Sequence, residues 1–190
     1  MSQRLINVCG QDPSLRNWGL AIGTLNLDTF KLTITKLDVV CAEISKHKQV
    51  RQNSLDLESA YQLYQGAVYA AKDAHAVFVE VPVGSQSARA MASYGICVGV
   101  LGALRANNRS FYEVTPTEVK MASYGSKTAS KEQMIKWAMF KHPEANWPMK
   151  KENGINSVVM CKAEHMADAI GAIYAGITSN LFKQTLSLTK

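Results

Sequence analysis

The sequence has few of the features that would place it among membrane, zinc-bound or disulfide-rich proteins. Its amino terminus, MSQRLINVCG, lacks the apolar stretch of about 7–15 residues that secretory signals carry. The longest nearly unbroken apolar run, YGICVGVLGAL, is far shorter than the roughly 20 residues that span a bilayer. The cysteines are widely separated and include no C-x-x-C pair, which argues against a zinc cluster or a disulfide framework and indicates buried or free thiols: Cys9, Cys41, Cys97 and Cys161. We therefore expect a cytoplasmic protein that does not cross a membrane.

Internal repeats, low-complexity tracts and linkers are also missing. A chain of 190 residues with 47% apolar and 19% charged residues predicts one globular domain over residues 1–190. The net charge of +6 favours an acidic partner, nucleic acid first, although a mildly basic surface also serves solubility alone.

Apolar runs and alternation predict an α/β protein that opens with three strands and continues in helix–strand units. The predicted strands are residues 5–10, 18–25, 30–40, 76–81 and 110–115, and the predicted helices are residues 54–74, 85–108, 116–122, 131–141 and 162–182. Ser54 and Ser130 are the expected N-caps of two helices, and Thr115 with Pro116 opens a third. Residues 142–161, rich in Pro, Gly and Asn, are predicted to be irregular. We expect a mixed sheet whose first three strands are antiparallel, with helices on its faces.

Acidic residues lie where such sheets collect ligands, at the ends of strands. Asp12 follows the first predicted strand and Glu80 lies in the fourth, while Glu164, His165 and Asp168 fall within one turn of the last helix. Carboxylates with one imidazole suit Mg²⁺ or Mn²⁺. Each residue also has an ordinary explanation: Asp12 shapes a turn, His165 is a core or cap histidine, and Glu164 is solvated. Glu80 fits an ordinary role least, because a carboxylate in an apolar strand is costly to bury alone.

Four segments, in order, carry a resemblance to one known family. GQDPSLRNWGLAI and VFVEVPVGSQSARAMASYGICVGVL are similar, respectively, to the opening G-x-D-P-G-x-x-x-T-G and to the second acidic segment of the RuvC family. VTPTEVKMASYGSKTASKEQM resembles the stretch with two lysines eleven residues apart, here Lys120 and Lys131. HMADAIGAIYAG resembles the final helix of the variant that has histidine, here His165, in place of aspartate. Individually these motifs are weak, since G-x-D openings also occur in actin-like ATPases, but the ordered set is much more specific.

The resemblance implies an RNase H-like fold and a Holliday junction resolvase. Such an enzyme is a homodimer that places two Mg²⁺ sites, with Mn²⁺ as a substitute, on a four-way DNA junction and nicks two opposed strands. Asp12, Glu80 and Asp168 would be metal ligands, His165 a ligand or proton carrier, and Glu164 a less certain ligand.

The resemblance also assigns DNA-binding residues. Lys131 would be catalytic, and it would bind phosphates together with Lys120, Lys127 and Arg89. The common alternative for these residues is a solvated surface.

A stripe of small residues runs along predicted helix 85–108, at Ala88, Ala92, Gly95, Gly99, Gly102 and Ala106. The family uses this helix in its dimer interface, and packing on the protein's own sheet is an equal alternative.

The sequence departs from the family at several places. Ser14 replaces a glycine, Asn17 and Trp18 replace the usual residues before Gly19, and the loop after Glu80 lacks the family's aromatic residue. The long segment 142–161 contains Trp147, Lys150 and Lys151, which either form a surface loop or touch DNA.

Three functions remain open from the sequence. The first is junction resolution, and the second is an RNase H-like nuclease for RNA–DNA hybrids or other branched nucleic acid. The third is a non-catalytic junction-binding domain. An actin-like phosphotransferase lacks support, because the sequence shows no second Gly-rich phosphate loop and is too short for two such domains.

Overall fold

A mixed five-stranded sheet forms the centre of the protein. The computed structural model describes residues 4–47, 49–152 and 154–188. The strands of the sheet are β1 (Leu5–Asp12), β2 (Asn17–Asn26), β3 (Leu32–Cys41), β4 (Ala76–Glu80) and β5 (Tyr112–Val114), in the spatial order β3-β2-β1-β4-β5. The first three pair antiparallel, and β4 runs parallel to both β1 and β5. The predicted mixed sheet with an antiparallel opening is confirmed.

Helices cover both faces of this sheet. They are α1 (Gln52–Ala71), α2 (Ala88–Ala106), α3 (Pro116–Ser123), α4 (Lys131–Lys141), α5 (Met160–Thr178) and α6 (Asn180–Leu188). Side chains alternate along a strand, so Val77 and Val79 of β4 join the core under α1 and α2, whereas Phe78 joins the core under α3, α4 and α5. In the part of the chain that the structure describes, no helix is long and apolar enough to cross a membrane.

Helix starts and ends follow local chemistry. Ser130 and Thr115 form capping boxes at the starts of α4 and α3, as predicted. The predicted cap at Ser54 is wrong, because the Ser54 amide already donates to the carbonyl of Arg51 and α1 begins at Gln52. The last predicted helix, 162–182, is two helices, since Ser179 is extended and its Oγ accepts from the Phe182 amide at the start of α6.

The segment predicted to be irregular contains a hairpin. Its strands, β6 (Met149–Glu152) and β7 (Ile155–Val158), pair antiparallel in a separate two-stranded sheet. Gly154, at a φ of 80°, lies in the turn. Strands of four residues with two lysines carry too little apolar alternation to be recognised from the pattern.

The small-residue stripe of α2 faces away from the sheet. All six of its residues are exposed, and a Cβ built at Gly95, Gly99 or Gly102 meets nothing within 4 Å in the described chain. The buried face of α2 consists instead of Cys97, Val100, Leu101 and Leu104. Packing of the stripe on the protein's own sheet is therefore wrong.

All four cysteines are free, two of them buried, as predicted.

Asn146 covers the open edge of β3. Its side-chain oxygen accepts from the backbone N–H of Leu37 at 2.7 Å, and its side-chain nitrogen donates to the carbonyl of Leu37 at 2.9 Å. These bonds satisfy edge groups that would otherwise be open to another chain.

Candidate active site

Two neighbouring parallel strands bring the first two candidate carboxylates together. Gln11 in β1 pairs with Val79 in β4, so the next residue of each strand, Asp12 and Glu80, ends its strand at the same edge of the sheet. Asp12 is the last residue of β1 and not, as predicted, a residue just after it. It is largely buried, and Glu80 is half-buried.

Two glycines allow α5 to bring the remaining candidates to this edge. A Cβ at Gly19 would collide with the backbone carbonyl of His165, and a Cβ at Gly10 with that of Ala169. Only residues without a side chain permit such a close approach of helix to strand. Because Gly19 pairs with Asp12 across β1 and β2, this packing sets His165 and Asp168 beside Asp12.

Two buried side-chain hydrogen bonds hold the end of β1 in place on the face of the sheet opposite α5. Trp18 donates its indole N–H to Gln11 Oε1 at 3.0 Å, and Gln11 Nε2 donates to the carbonyl of Ala67 at 3.2 Å. Both Gln11 and Trp18 are fully buried. The sequence reasoning missed Gln11, although a polar residue inside an apolar strand is the same signal that singled out Glu80.

The candidates line one cleft of about 270 Å³. Asp12, Glu80, Glu164, His165, Asp168 and Lys131 all face it. Further lining residues that sequence reasoning did not assign are Pro13, Ser14, Pro82, Val83, Gly84, Tyr94 and Pro116. Helical periodicity alone does not tell which face of α2 meets the cleft, and this is why Tyr94 was missed.

Crowded negative charge perturbs the carboxylates of the cleft. Burial raises the pKa of Glu80 to about 9, and the charges of Asp12 and Asp168 add to the rise. Burial also raises the pKa of Asp168 to about 7, and Asp12 again adds to it. The Lys120 ammonium lowers the pKa of both groups and so offsets part of this repulsion.

His165 is tied to Asp12. Its Nδ1 lies 2.6 Å from Asp12 Oδ2, as a donor to the carboxylate. Burial lowers the pKa of His165, but the hydrogen bond to Asp12 and the surrounding carboxylates outweigh it and leave that pKa above its ordinary value. The imidazole therefore holds a proton more tightly than a free histidine does.

The predicted DNA-binding residues divide into two groups. Lys131 faces the cleft, where its Nζ lies 2.7 Å from Glu164 Oε2, and Lys120 acts electrostatically on Glu80 and Asp168. Lys127 is exposed on the loop before α4 and does not line the cleft. Arg89 forms a two-pronged ion pair with Asp56 of α1, at 2.9 and 2.8 Å.

Comparison with known proteins places this geometry in a familiar fold. A structure of Thermus thermophilus RuvC in complex with a Holliday junction substrate matches with a TM-score of 0.61 and 19% identity, covering 96% of each chain. A second Thermus thermophilus RuvC structure matches with a TM-score of 0.58 and 19% identity over 97% of each chain. The chain has the RuvC, RNase H-like fold. No family model and no curated protein sequence matches the chain.

The cleft of this RuvC fold offers the donors that a divalent cation prefers. Within the described residues, no group of three or more His, Cys, Asp or Glu side chains is arranged so that it could hold a metal ion. Two candidates are engaged with protein partners instead, Asp12 with His165 and Glu164 with Lys131. Oxygen donors predominate, and a cation would relieve the repulsion from Asp12 that adds to the effect of burial on the pKa values of Glu80 and Asp168. The types of donor present, although not their arrangement, fit a divalent cation.

Proposed function

We propose that the protein is a divalent-metal-dependent, structure-selective DNA endonuclease that resolves Holliday junctions by paired nicking. The observation that carries the proposal is the meeting of Asp12, Glu80 and Asp168 in one cleft at the end of β1 and β4. The fold supports it, since a protein of the same fold is seen in complex with a Holliday junction. The proposal treats residues 1–190 as a single nuclease domain.

Asp12, Glu80 and Asp168 would hold the metal, with His165 as a further ligand or a proton carrier. With a divalent cation held there, the site would gain an activated water as nucleophile and stabilisation of charge on the departing 3′ oxygen. Glu164 is the weakest ligand candidate, because Lys131 already neutralises it. It would serve the site from outside the metal.

Lys131 and His165 would act on the phosphodiester directly. Lys131 is three-quarters exposed at the cleft, so its ammonium can exchange Glu164 for a phosphate oxygen of the DNA. His165 would take up or give a proton at Nε2 while Nδ1 stays bound to Asp12. Lys120, Lys127 and Arg89 would add phosphate contacts, and Arg89 would have to leave Asp56 to do so.

The partner of the chain would be a second copy of itself. Two opposed cuts need two clefts, and the exposed small-residue stripe of α2 offers a flat surface on which another backbone can approach closely. Acting on such DNA, the protein would work in the cytoplasm, at the nucleoid or, for a viral chain, in the host cytoplasm.

Cleavage of a four-way junction tests the proposal. The chain is incubated with a labelled junction, a linear duplex of the same sequence and an RNA–DNA hybrid, each with Mg²⁺, Mn²⁺ or EDTA. We expect metal-dependent symmetric cuts in the junction, little cutting of the duplex, and no cleavage by Glu80→Gln or Asp168→Asn, both of which keep junction binding. Equal cutting of junction and duplex would refute the resolvase, and preference for the hybrid would favour the second nuclease function. Binding without any cleavage would indicate a non-catalytic junction-binding domain.

A further inference from the structure

The β6–β7 hairpin stands at the same end of the molecule as the cleft. Along helix α5, His165 lies against Gly19, Ala169 against Gly10 and, further along, Gly176 against Phe78. It therefore runs from the carboxyl end of β1 towards its start. The first residue of α5, Met160, precedes His165 by five residues, or about 7.5 Å of helix rise, so the start of α5 projects beyond the end of β1.

The chain reaches this position along the edge of the sheet. Asn146 is bound to Leu37 in the middle of β3, and β3 ends at Cys41, opposite Asn17 near the cleft. The hairpin then closes at its base, where the Val159 amide donates to the carbonyl of Pro148 at 2.7 Å. Trp147 and Val158 pack against the core and anchor this base.

Above its anchored base the hairpin stands apart from the main fold. Among the described residues, β6 and β7 contact each other far more than any other strand or helix. Met149, Lys150 and Lys151 are exposed, and Lys162 is exposed in the first turn of α5. The hairpin therefore contributes little to the core. Its exposed lysines lie beside the cleft and offer a positively charged surface to an anionic partner.

We propose that the β6–β7 hairpin is a DNA-binding arm, in which Lys150 and Lys151, together with Lys162, bind backbone phosphates of a duplex arm leaving the cleft. The inference rests on the proposed function and assigns it a contact surface outside the catalytic residues. Trp147 acts as an anchor, because its indole N–H donates to the carbonyl of His142 at 2.9 Å. Its role is to fix the hairpin on the body of the protein.

Salt dependence of junction binding tests the arm. The variant Lys150→Gln/Lys151→Gln is compared with Lys72→Gln/Lys183→Gln, which removes two exposed lysines near the other end of β1. Catalytically inactive Glu80→Gln is the background, and affinity for a four-way junction is measured over a range of salt concentrations. Each lost phosphate contact lowers the slope of log affinity against log salt concentration by about 0.9. We therefore expect the hairpin variant to lose about 2 in this slope and to bind the junction several-fold more weakly.

Three further results decide the inference. Lys150→Arg/Lys151→Arg should keep the parent slope, and the control pair should change the slope less than the hairpin pair. In the active background, the hairpin variant should cleave at the parent rate once the DNA is saturated with protein. Equal salt slopes in the hairpin and control variants would refute the DNA-binding arm but not the proposed nuclease function. A parent protein that binds no junction would refute both proposals.

Discussion

At the scale of single residues, the cleft brings together more carboxyl groups than the nearby cations offset. Burial and the charges of Asp12 and Asp168 raise the pKa of Glu80, and Lys120 compensates only part of this rise. Buried carboxylates without a partner cost stability. A cluster of them is therefore typical of a functional site, where the charge binds a ligand or takes part in the reaction. The site is therefore expected to be strained in the absence of a cation and relaxed by one.

Glu80→Gln should stabilise the metal-free protein, increasingly so at higher pH. The ordinary pKa of this carboxyl, 4.5, rises to about 9 in the folded chain, so between these values the folded state binds the proton more tightly and stability falls as pH increases. Glutamine does not ionise, so the Glu80→Gln variant does not lose this stability as the pH rises. Thermal unfolding in EDTA from pH 5 to pH 9 should show a growing advantage in Tm, at about 2–4 °C per kcal/mol for a chain of this size.

The matched control for this measurement is Glu132→Gln, the same change at an exposed position of α4. Its Tm difference from the parent should stay nearly constant with pH. Added Mg²⁺ should raise the Tm of the parent more than that of Glu80→Gln. A Tm advantage of Glu80→Gln that does not grow with pH would contradict the charge argument.

At the scale of elements, the site depends on how closely α5 lies on β1 and β2. Gly19→Ala should push α5 outward, because the new Cβ meets backbone atoms of His165 that cannot rotate away. Overpacking of this kind costs about 1–3 kcal/mol. Urea unfolding should show this loss, and cleavage should fall as well, since His165 and Asp168 move with the helix. Gly125→Ala, at an open loop position, also loses stability through its positive φ but should keep the cleavage rate. Full cleavage by Gly19→Ala would contradict the role of this contact.

The same elements mark what the sequence could predict and what it could not. The mixed sheet with an antiparallel opening follows from apolar runs and their alternation along the chain. The prediction that Asp12, Glu80 and Asp168 share one site comes instead from the ordered motifs that resemble the RuvC family. The hairpin did not follow, since its short basic strands owe their pairing to a turn and an anchored base. The split of the last helix at Ser179 depends on a backbone change that the Ala- and Ile-rich pattern does not signal. The partners of Arg89 and Lys131 depend on tertiary packing, and no spacing along the chain encodes them.

At the scale of the whole molecule, paired nicking requires that two clefts act on one junction. Gly99→Leu tests the proposed α2 interface, because a Cβ at this position meets nothing within 4 Å among the described residues, whereas a leucine side chain would hold two α2 helices apart in a dimer. The fold should not suffer, since leucine favours a helix over glycine by roughly 0.5–1 kcal/mol. Light scattering should find the parent as a dimer and Gly99→Leu as a monomer.

A supercoiled plasmid with an extruded cruciform reports whether the two cuts are coupled. Paired cuts across the junction release linear DNA, whereas a single cut relaxes the plasmid to a nicked circle and destroys the cruciform before a second cut can follow. The parent should therefore yield mainly linear product and Gly99→Leu mainly nicked circles. Gln184→Leu, which also places a leucine at an exposed helix position but in α6, should behave as the parent does. If Gly99→Leu stays dimeric and still linearises the plasmid, the second copy does not dock through the α2 stripe, and the interface has to lie on another face of the fold.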